Sequence, residues 1–442
     1  MDELSARAAA LVAGRPSDAR LRRVGTSRAG DPLLLLSVGH GSRQALVVAG
    51  PHANEPVGGA TALRLADRVL ADPRLTEGRD VTWNLLLCLD PDGARRNQGW
   101  LPGPYTLGHH FRNFFRPGFL EQPEWLPDGA DGARLPETRA LLKVQDELRP
   151  FFQCSLHGVD VGGGFVELTR DLPGLAQRLA HIAARLGIPL ERAPYDALYW
   201  PELGPSVYRI PTPRPAGLAA AITEAAVEST WFHPHRHGTF TAVVEAPMWG
   251  VADVADDTPP TAHEADAALR AVSGTLRRDT ALLVELLRRT RRHLRAAPET
   301  ARLLAPVDDY LLVCPGVADS WDPDAAGPGS RPLPPLTTAR LTSLRISGRR
   351  LALRTAGLLH QAITAAGSDP AGALGDLERV IDRWCADFTQ GCGARWIPVA
   401  RQVEYQTRVV LAAFDLAAQR SAADHAVRPI AARRASAEVP FE

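Results

Sequence analysis

Lysine is almost missing from this chain: Lys143 is the only one, and every other member of its 50 basic residues is an arginine. That bias reflects an Arg- and Ala-heavy, GC-rich coding sequence, and no function is read from it. Net charge is missing as well. Fifty acidic residues balance the 50 basic ones, giving a formal charge of zero and a pI near 7.2. A nucleic-acid or anionic-membrane partner is therefore not expected, because such surfaces select for a basic excess. No apolar run approaches the ~18–20 residues that a membrane span needs. The first residues carry Asp2 and Glu3 with no basic stretch ahead of an apolar one, so no secretory leader is expected. The five cysteines (Cys88, Cys154, Cys314, Cys385, Cys392) are odd in number and scattered, which argues against a disulfide framework and for reduced thiols. Cys385 and Cys392 have no His pair nearby, so no metal site is assigned to them. Together these absences predict a cytoplasmic protein.

What is present is ordinary globular material. The 442 residues are 45 % hydrophobic and 23 % charged, enough for a full core and more than one structural unit. Residues 2–14 read as a helix. The runs Pro32–Val38, Gln44–Gly50 and Val81–Leu89 read as strands, with a helix from about Val57 to Leu70 between the last two. Residues 94–133 are long, irregular and rich in aromatic, Gly and Pro residues, as functional loops often are. Further on, Glu137–Leu148 and Gly174–Leu186 read as helices, and Phe151–Leu156 and Thr239–Glu245 as strands. Alternating strands and helices predict an α/β fold, a mixed and mostly parallel sheet flanked by helices. Composition shifts near Asp253–Ala262. Beyond it lies a mainly helical C-terminal extension, in which Leu269, Val272, Leu276, Leu283, Leu286 and Leu294 share one helix face. A Pro/Gly-rich stretch at 322–336 reads as a loop, and 371–388 and 399–420 as helices. The expected organisation is residues 1–253, then 254–421, then a weakly structured tail from 422 to 442.

The strongest chemical signal is His52-Ala-Asn-Glu55, directly after the strand that ends at Gly50. Zinc takes imidazole nitrogen and carboxylate oxygen, and a catalytic site needs three protein ligands with one position left open. Two residues between a His and a Glu let both converge from a tight turn at the carboxyl end of a strand, where open α/β sheets place their sites. A third ligand should end another strand, and Phe151-Phe-Gln-Cys-Ser-Leu-His157-Gly supplies it. Glu245 ends the strand Phe240-Thr-Ala-Val-Val-Glu245. A carboxylate there is costly to bury unless it has a partner or a chemical task.

At this point the chain resembles the zinc carboxypeptidase family related to carboxypeptidase A. The family pattern of HxxE, an NPDG-like turn, a strand ending in His and a strand bearing Glu appears in order as His52/Glu55, Asp90-Pro-Asp-Gly93, His157 and Glu245. Gly25-Thr-Ser-Arg-Ala-Gly-Asp-Pro-Leu also resembles the family's GxSxxGRPL, so the likeness covers about residues 20–250. The resemblance implies one zinc per chain on His52, Glu55 and His157, with Glu245 as general base and then acid. Burial in a low dielectric would raise the Glu245 pKa. Phe111-Arg112-Asn113-Phe114 resembles the family's NRNF segment, which puts Arg112 and Asn113 at the substrate's terminal carboxylate. Arg95, Arg96 and Arg116 are candidates for the developing oxyanion. Tyr195, Tyr199 and Tyr208 stand where a tyrosine closes the site in the family, and no motif chooses among them. The His109/His110 and His233/His235/His237 clusters are expected to flank the cleft or to be exposed.

The implied activity is zinc-dependent hydrolysis of an amide next to a free carboxylate, in a peptide or small amino-acyl substrate. An N-acyl amino acid deacylase of the same fold, desuccinylase- or aspartoacylase-like, is the alternative. A zinc-binding pseudoenzyme with a partner-docking extension is the third reading. The C-terminal helices are expected to cap the cleft or to form a homodimer.

Overall fold

The computed structural model describes residues 1–126, 134–211, 229–294, 298–325, 331–367, 369 and 372–435, with side chains through residue 421. Parts of the expected loops at 94–133 and 322–336 thus lie outside the described residues.

The strands are β1 (Ala19–Thr26), β2 (Pro32–Val38), β3 (Arg43–Val48), β4 (Val81–Leu86), β5 (Phe152–Gly162), β6 (Phe165–Leu168), β7 (Glu202–Gly204), β8 (Val207–Arg209), β9 (Phe240–Gly250) and β10 (Arg395–Trp396). They form one sheet in the order β1-β2-β4-β3-β5-β9-β6-β8-β7, with β10 on β9. The centre, β4-β3-β5-β9, is parallel, while β1-β2, β2-β4 and β6-β9 are antiparallel. The helices are α1 (Asp2–Gly14), α2 (Val57–Ala71), α3 (Pro91–Arg96), α4 (Leu107–Asn113), α5 (Pro136–Leu148), α6 (Leu175–Leu186), α7 (Ala262–Thr290), α8 (Pro298–Trp321), α9 (Thr338–Ala366), α10 (Ala373–Ala386) and α11 (Val399–Ala435).

The two-residue period of the strands sorts their side chains between two cores. Ala45 and Val47, Phe152, Cys154 and Leu156, and Ala242, Val244 and Ala246 all enter one core, under α2, α6 and α11. Leu46 and Val48 enter another, against Leu141 and Val144 of α5. On that second face lie Val159, Phe165 and Val243, packed with Trp200 and Trp231. His157, Glu245 and Glu167 have the same parity as Val159, Val243 and Phe165, so one rule of alternation puts all three on the second face.

β5 and β9 run past His157 and Glu245, pairing as far as Gly162 and Gly250. Their extensions carry Val161, Met248 and Trp249 into a third core with α4 and with Leu283, Leu303, Leu353 and Leu377 of the C-terminal helices. A capping box of Thr261 and Glu264 starts α7 where the composition shift predicts a boundary. The boundary at 253 does not, however, separate two cores. Tyr405, Val409, Val410, Ala413 and Phe414 of α11 belong to the first core, with the sheet. The helix α11 continues to Ala435, into the stretch expected to be a tail, and residues 436–442 lie outside the described part. Among the described residues no helix is long and apolar enough to cross a membrane.

Candidate active site and metal centre

The loop after β3 turns sharply at Gly50, whose φ of +59° and whose contact with Cys88 leave no room for a side chain. It presents His52 and Glu55 at the end of the sheet, beside His157 in β5. The three donors are buried and their ligand atoms lie within 4.8 Å of one another. His52 Nδ1 is 2.8 Å from Glu55 Oε1, and His157 Nδ1 is 3.4 Å from Glu55 Oε2. The second Glu55 oxygen also accepts from the Gly158 amide at 3.1 Å, which locks the carboxylate between the two strands' ends.

The far side of both imidazoles meets a residue that no sequence motif indicated. Glu124 is fully buried; one of its oxygens contacts His52 Nε2 and the other lies 3.3 Å from His157 Nε2. Trp231 Nε1 donates to it at 3.1 Å and Ser155 Oγ sits 2.9 Å from His157 Nε2. An outer carboxylate of this kind holds the Nε2 hydrogens, leaving Nδ1 lone pairs directed at a metal. His157 Nδ1 is indeed buried with no hydrogen-bond partner among the described residues. Burial opposes ionisation of Glu55 and Glu124, yet the facing His52 and His157 hold both carboxylates well below the usual range. His157 in turn is raised well above its usual value, against its burial, by Glu124 and Glu55. Two ionised buried carboxylates facing two imidazoles call for positive charge, and a divalent cation supplies it in place of protons. Two nitrogens, one carboxylate and an orphaned lone pair fit zinc.

Glu245 pairs across the ladder with His157, its Oε1 3.7 Å from His157 Nδ1. Its Oε2 is buried without a partner among the described residues. Burial raises its pKa, Glu55 and Asp196 add to the rise, and His157 and Arg350 oppose it. Glu167, on the same face of β6, is also raised well above the carboxylate range by burial and by Glu245. These groups line a cavity of about 400 Å³ with Trp125, Trp200 and Trp231 on the sheet side and Pro306, Tyr310, Ser347 and Leu351 on the side of α8 and α9.

The expected substrate cations are only partly brought here. Arg116 lines the cavity, donating to Glu55 Oε1 at 3.3 Å and to Gln122, with Nη2 2.8 Å from His52 Nε2. Arg112 is turned away to Asp382 at 2.7 Å, and Asn113 donates to the His109 carbonyl of its own helix. Arg95 is held by Asp31 and Asp2 and Arg96 by Glu299, so none of these four lines the cleft. The physical reason is local: each has a carboxylate or carbonyl partner closer than the cleft. In their place α9 contributes Arg350 and Arg354 to the lining. The Asp90-Pro-Asp-Gly93 turn is architectural. Asp90 caps α3 through the Gly93 amide, and Asp92 accepts from Ser27 and from the Ala29 amide, clamping the Gly25–Gly30 segment.

Of the three tyrosines, Tyr195 lines the cavity against Trp321. Tyr208 donates to the Arg192 carbonyl, and Tyr199 stacks under Arg331. His233 and His237 surround Asp146 at 3.0 and 3.5 Å, and His110 is buried 3.3 Å from Asp160. The apolar stripe of α7 is buried against α8, α9 and α10.

Comparison with known proteins agrees with this geometry. Residues 5–113, about a quarter of the chain, match the sequence model of the family described as zinc carboxypeptidase. No curated protein matches. Among solved structures, a metallo-carboxypeptidase from Burkholderia cenocepacia is 17 % identical with a TM-score of 0.35, the alignment covering 54 % of this chain and 58 % of that one. Carboxypeptidase A from Helicoverpa armigera is also 17 % identical, with a TM-score of 0.34 and coverage of 56 % and 64 %. The chain thus spans less than two thirds of either relative, and at these scores the likeness carries no argument of its own. The sequence match does: the N-terminal quarter of the chain, His52 and Glu55 included, carries the signature of the zinc carboxypeptidase family.

Proposed function

We propose that this protein is a zinc-dependent hydrolase that cleaves an amide bond next to a free carboxylate, releasing a C-terminal amino acid from a peptide or small conjugate. The observation that carries the reading is the convergence on one cleft of three metal donors and a protonation-prone Glu245 whose Oε2 has no hydrogen-bond partner among the described residues. His52 Nδ1, His157 Nδ1 and Glu55 would hold one zinc, and Glu124 orients both imidazoles from behind. When bound, zinc acidifies water and polarises a carbonyl oxygen.

The chain's own residues do the rest. Glu245 Oε2 takes the proton of the attacking water and passes it to the leaving amine nitrogen, a cycle suited to a carboxyl whose pKa burial has raised. Arg116, tied loosely to Gln122 and Glu55, is placed to donate to the oxygen on which charge develops. Trp200 and Trp231 on the sheet side and Leu351 on the helical side give the cavity apolar walls. Five buried free cysteines support a reducing, cytoplasmic setting.

A deacylase acting on N-acyl amino acids is the second reading. With Arg112 engaged by Asp382, the carboxylate clamp implied by the family pattern is not at the cleft, which supports a substrate other than an ordinary peptide, N-acyl amino acids included. Zinc content and turnover of N-blocked dipeptides and N-acyl amino acids, measured on wild type and Glu245→Gln, test both. One zinc in each protein with hydrolysis lost only in the variant is the expected result, and the preferred substrate chooses between the two. Absence of zinc from the wild type would sink both readings.

A further inference from the structure

Among the described residues three arginines line the cleft, and two are already committed. Arg116 lies against the metal donors. Arg354 makes a two-point contact with Asp160, at 2.8 Å through Nε and 2.7 Å through Nη2, and that carboxylate is wholly buried. The third, Arg350 of α9, is different. Its Nη2 reaches both oxygens of Asp196 at 3.1 Å, long for a charge-assisted bond, which ordinarily runs ~2.7–2.9 Å. Its Nε is buried with no hydrogen-bond partner among the described residues. The two side chains also differ in access: that of Arg350 is 10 % exposed, that of Asp196 42 %.

A guanidinium offers a flat fork that fits a carboxylate at two points, and here one tine is empty while a single nitrogen is shared by two oxygens. Asp196 is thus a poor match to the fork and is free to swing into water. Arg350 and Glu245 line the same cavity, so the fork shares the space of the reacting centre. Leaving a buried guanidinium nitrogen unpaired costs free energy, which an incoming carboxylate using Nε and Nη2 would recover.

We propose that Arg350 is the residue that reads the substrate's free carboxylate, with Asp196 as its stand-in when the cleft is empty. The specificity of the site is then set by the C-terminal helical region, not by the Arg112 segment. This rests on the hydrolase reading above and adds the group that recognises the substrate. Exchange of one carboxylate for another leaves the charge of the cleft unchanged, so no compensating proton is needed.

The test uses full-length, zinc-loaded protein carrying Glu245→Gln, so that an intact ligand can be titrated without turnover. Binding of an N-benzoylated dipeptide and of the same dipeptide as its C-terminal amide is measured by calorimetry. The acid is expected to bind about tenfold or more tighter than the amide, as hydrogen bonds to a charged group warrant. Adding Arg350→Gln should abolish that preference while leaving amide binding and zinc content as they were. Asp196→Asn should tighten the acid several-fold, because it removes the competitor, and this arm survives any folding defect of the arginine variant. Retention of the acid preference in Arg350→Gln, or weaker acid binding in Asp196→Asn, would overturn the assignment. Turnover of the same dipeptide by the wild type reports separately on the hydrolase reading: preference without turnover leaves Arg350 as the anchor and removes the chemistry.

Discussion

Replacing Arg354 by Met should destabilise the whole protein and loosen its metal site together. Asp160 in β5 is fully buried and is held by four contacts: Arg354 Nε at 2.8 Å, Arg354 Nη2 at 2.7 Å, and His110 Nε2 and Asn54 Nδ2 at 3.3 Å each. The Arg354 charge, with His110, keeps that carboxylate ionised well below its usual range in spite of its burial. Removing the arginine strands a charge in the interior, and breaking one side of such a buried pair costs about 3–5 kcal/mol. Met fills most of the volume, so the loss reports on charge more than on packing. Urea denaturation of the metal-free protein measures it, and the Arg354→Met/Asp160→Asn double variant should regain a large part. Asn54 stands between His52 and Glu55 and bonds the same carboxylate, so zinc affinity by competition with a chelator should fall in the single variant as well. A loss under about 1 kcal/mol, the scale of an exposed pair, would refute the reasoning. So would a double variant no more stable than the single one.

Two further outcomes are expected. Glu124→Gln should lower zinc affinity by roughly 10- to 100-fold, the usual effect of losing an outer carboxylate. Equilibrium dialysis against a chelator measures it, and unchanged affinity would show that Glu124 does not orient the imidazoles. Glu191, buried and bonded to the Gly163 amide and to Ser343, is pushed up by its burial from 4.5 to about 7. Its folded-state value lies above its unfolded one, so its contribution to stability is full below pH ~4.5 and is lost as pH rises to ~7, a loss on the order of 3 kcal/mol. Glu191→Gln should flatten that slope in urea titrations at several pH values, and equal slopes in both proteins would contradict the assignment.

Much of the site was legible because its members obey short-range rules. His52 and Glu55 share one turn, and His157 and Glu245 lie within apolar strands whose alternation fixes the face they occupy. The motif order did the rest. Glu124 escaped because it lies in an irregular segment, where neither period nor spacing says which way a side chain points. Arg350 escaped because it is one arginine on a helix rich in them, placed at the cleft only by the packing of α9 on β5 and α4. Arg112 shows the converse: a short pattern can be present while a neighbouring helix, through Asp382, has taken its side chain elsewhere. The boundary at 253 follows a real change in composition, but composition does not reveal that α11 returns to the sheet.

That return has a consequence for how the protein comes into being. Gln406 of α11 donates to the carbonyl of His157 at 2.6 Å and accepts from Thr61 at 2.7 Å, contacts that bridge 249 and 345 residues of chain. Such distant partners slow folding, because the connecting chain must be ordered before the contact repays it. Until α11 is made, the part of the first core that it fills, beside α2 and α6, stays uncovered. A chain lacking α11 would expose that apolar part of the sheet, a substrate for chaperones and degradation.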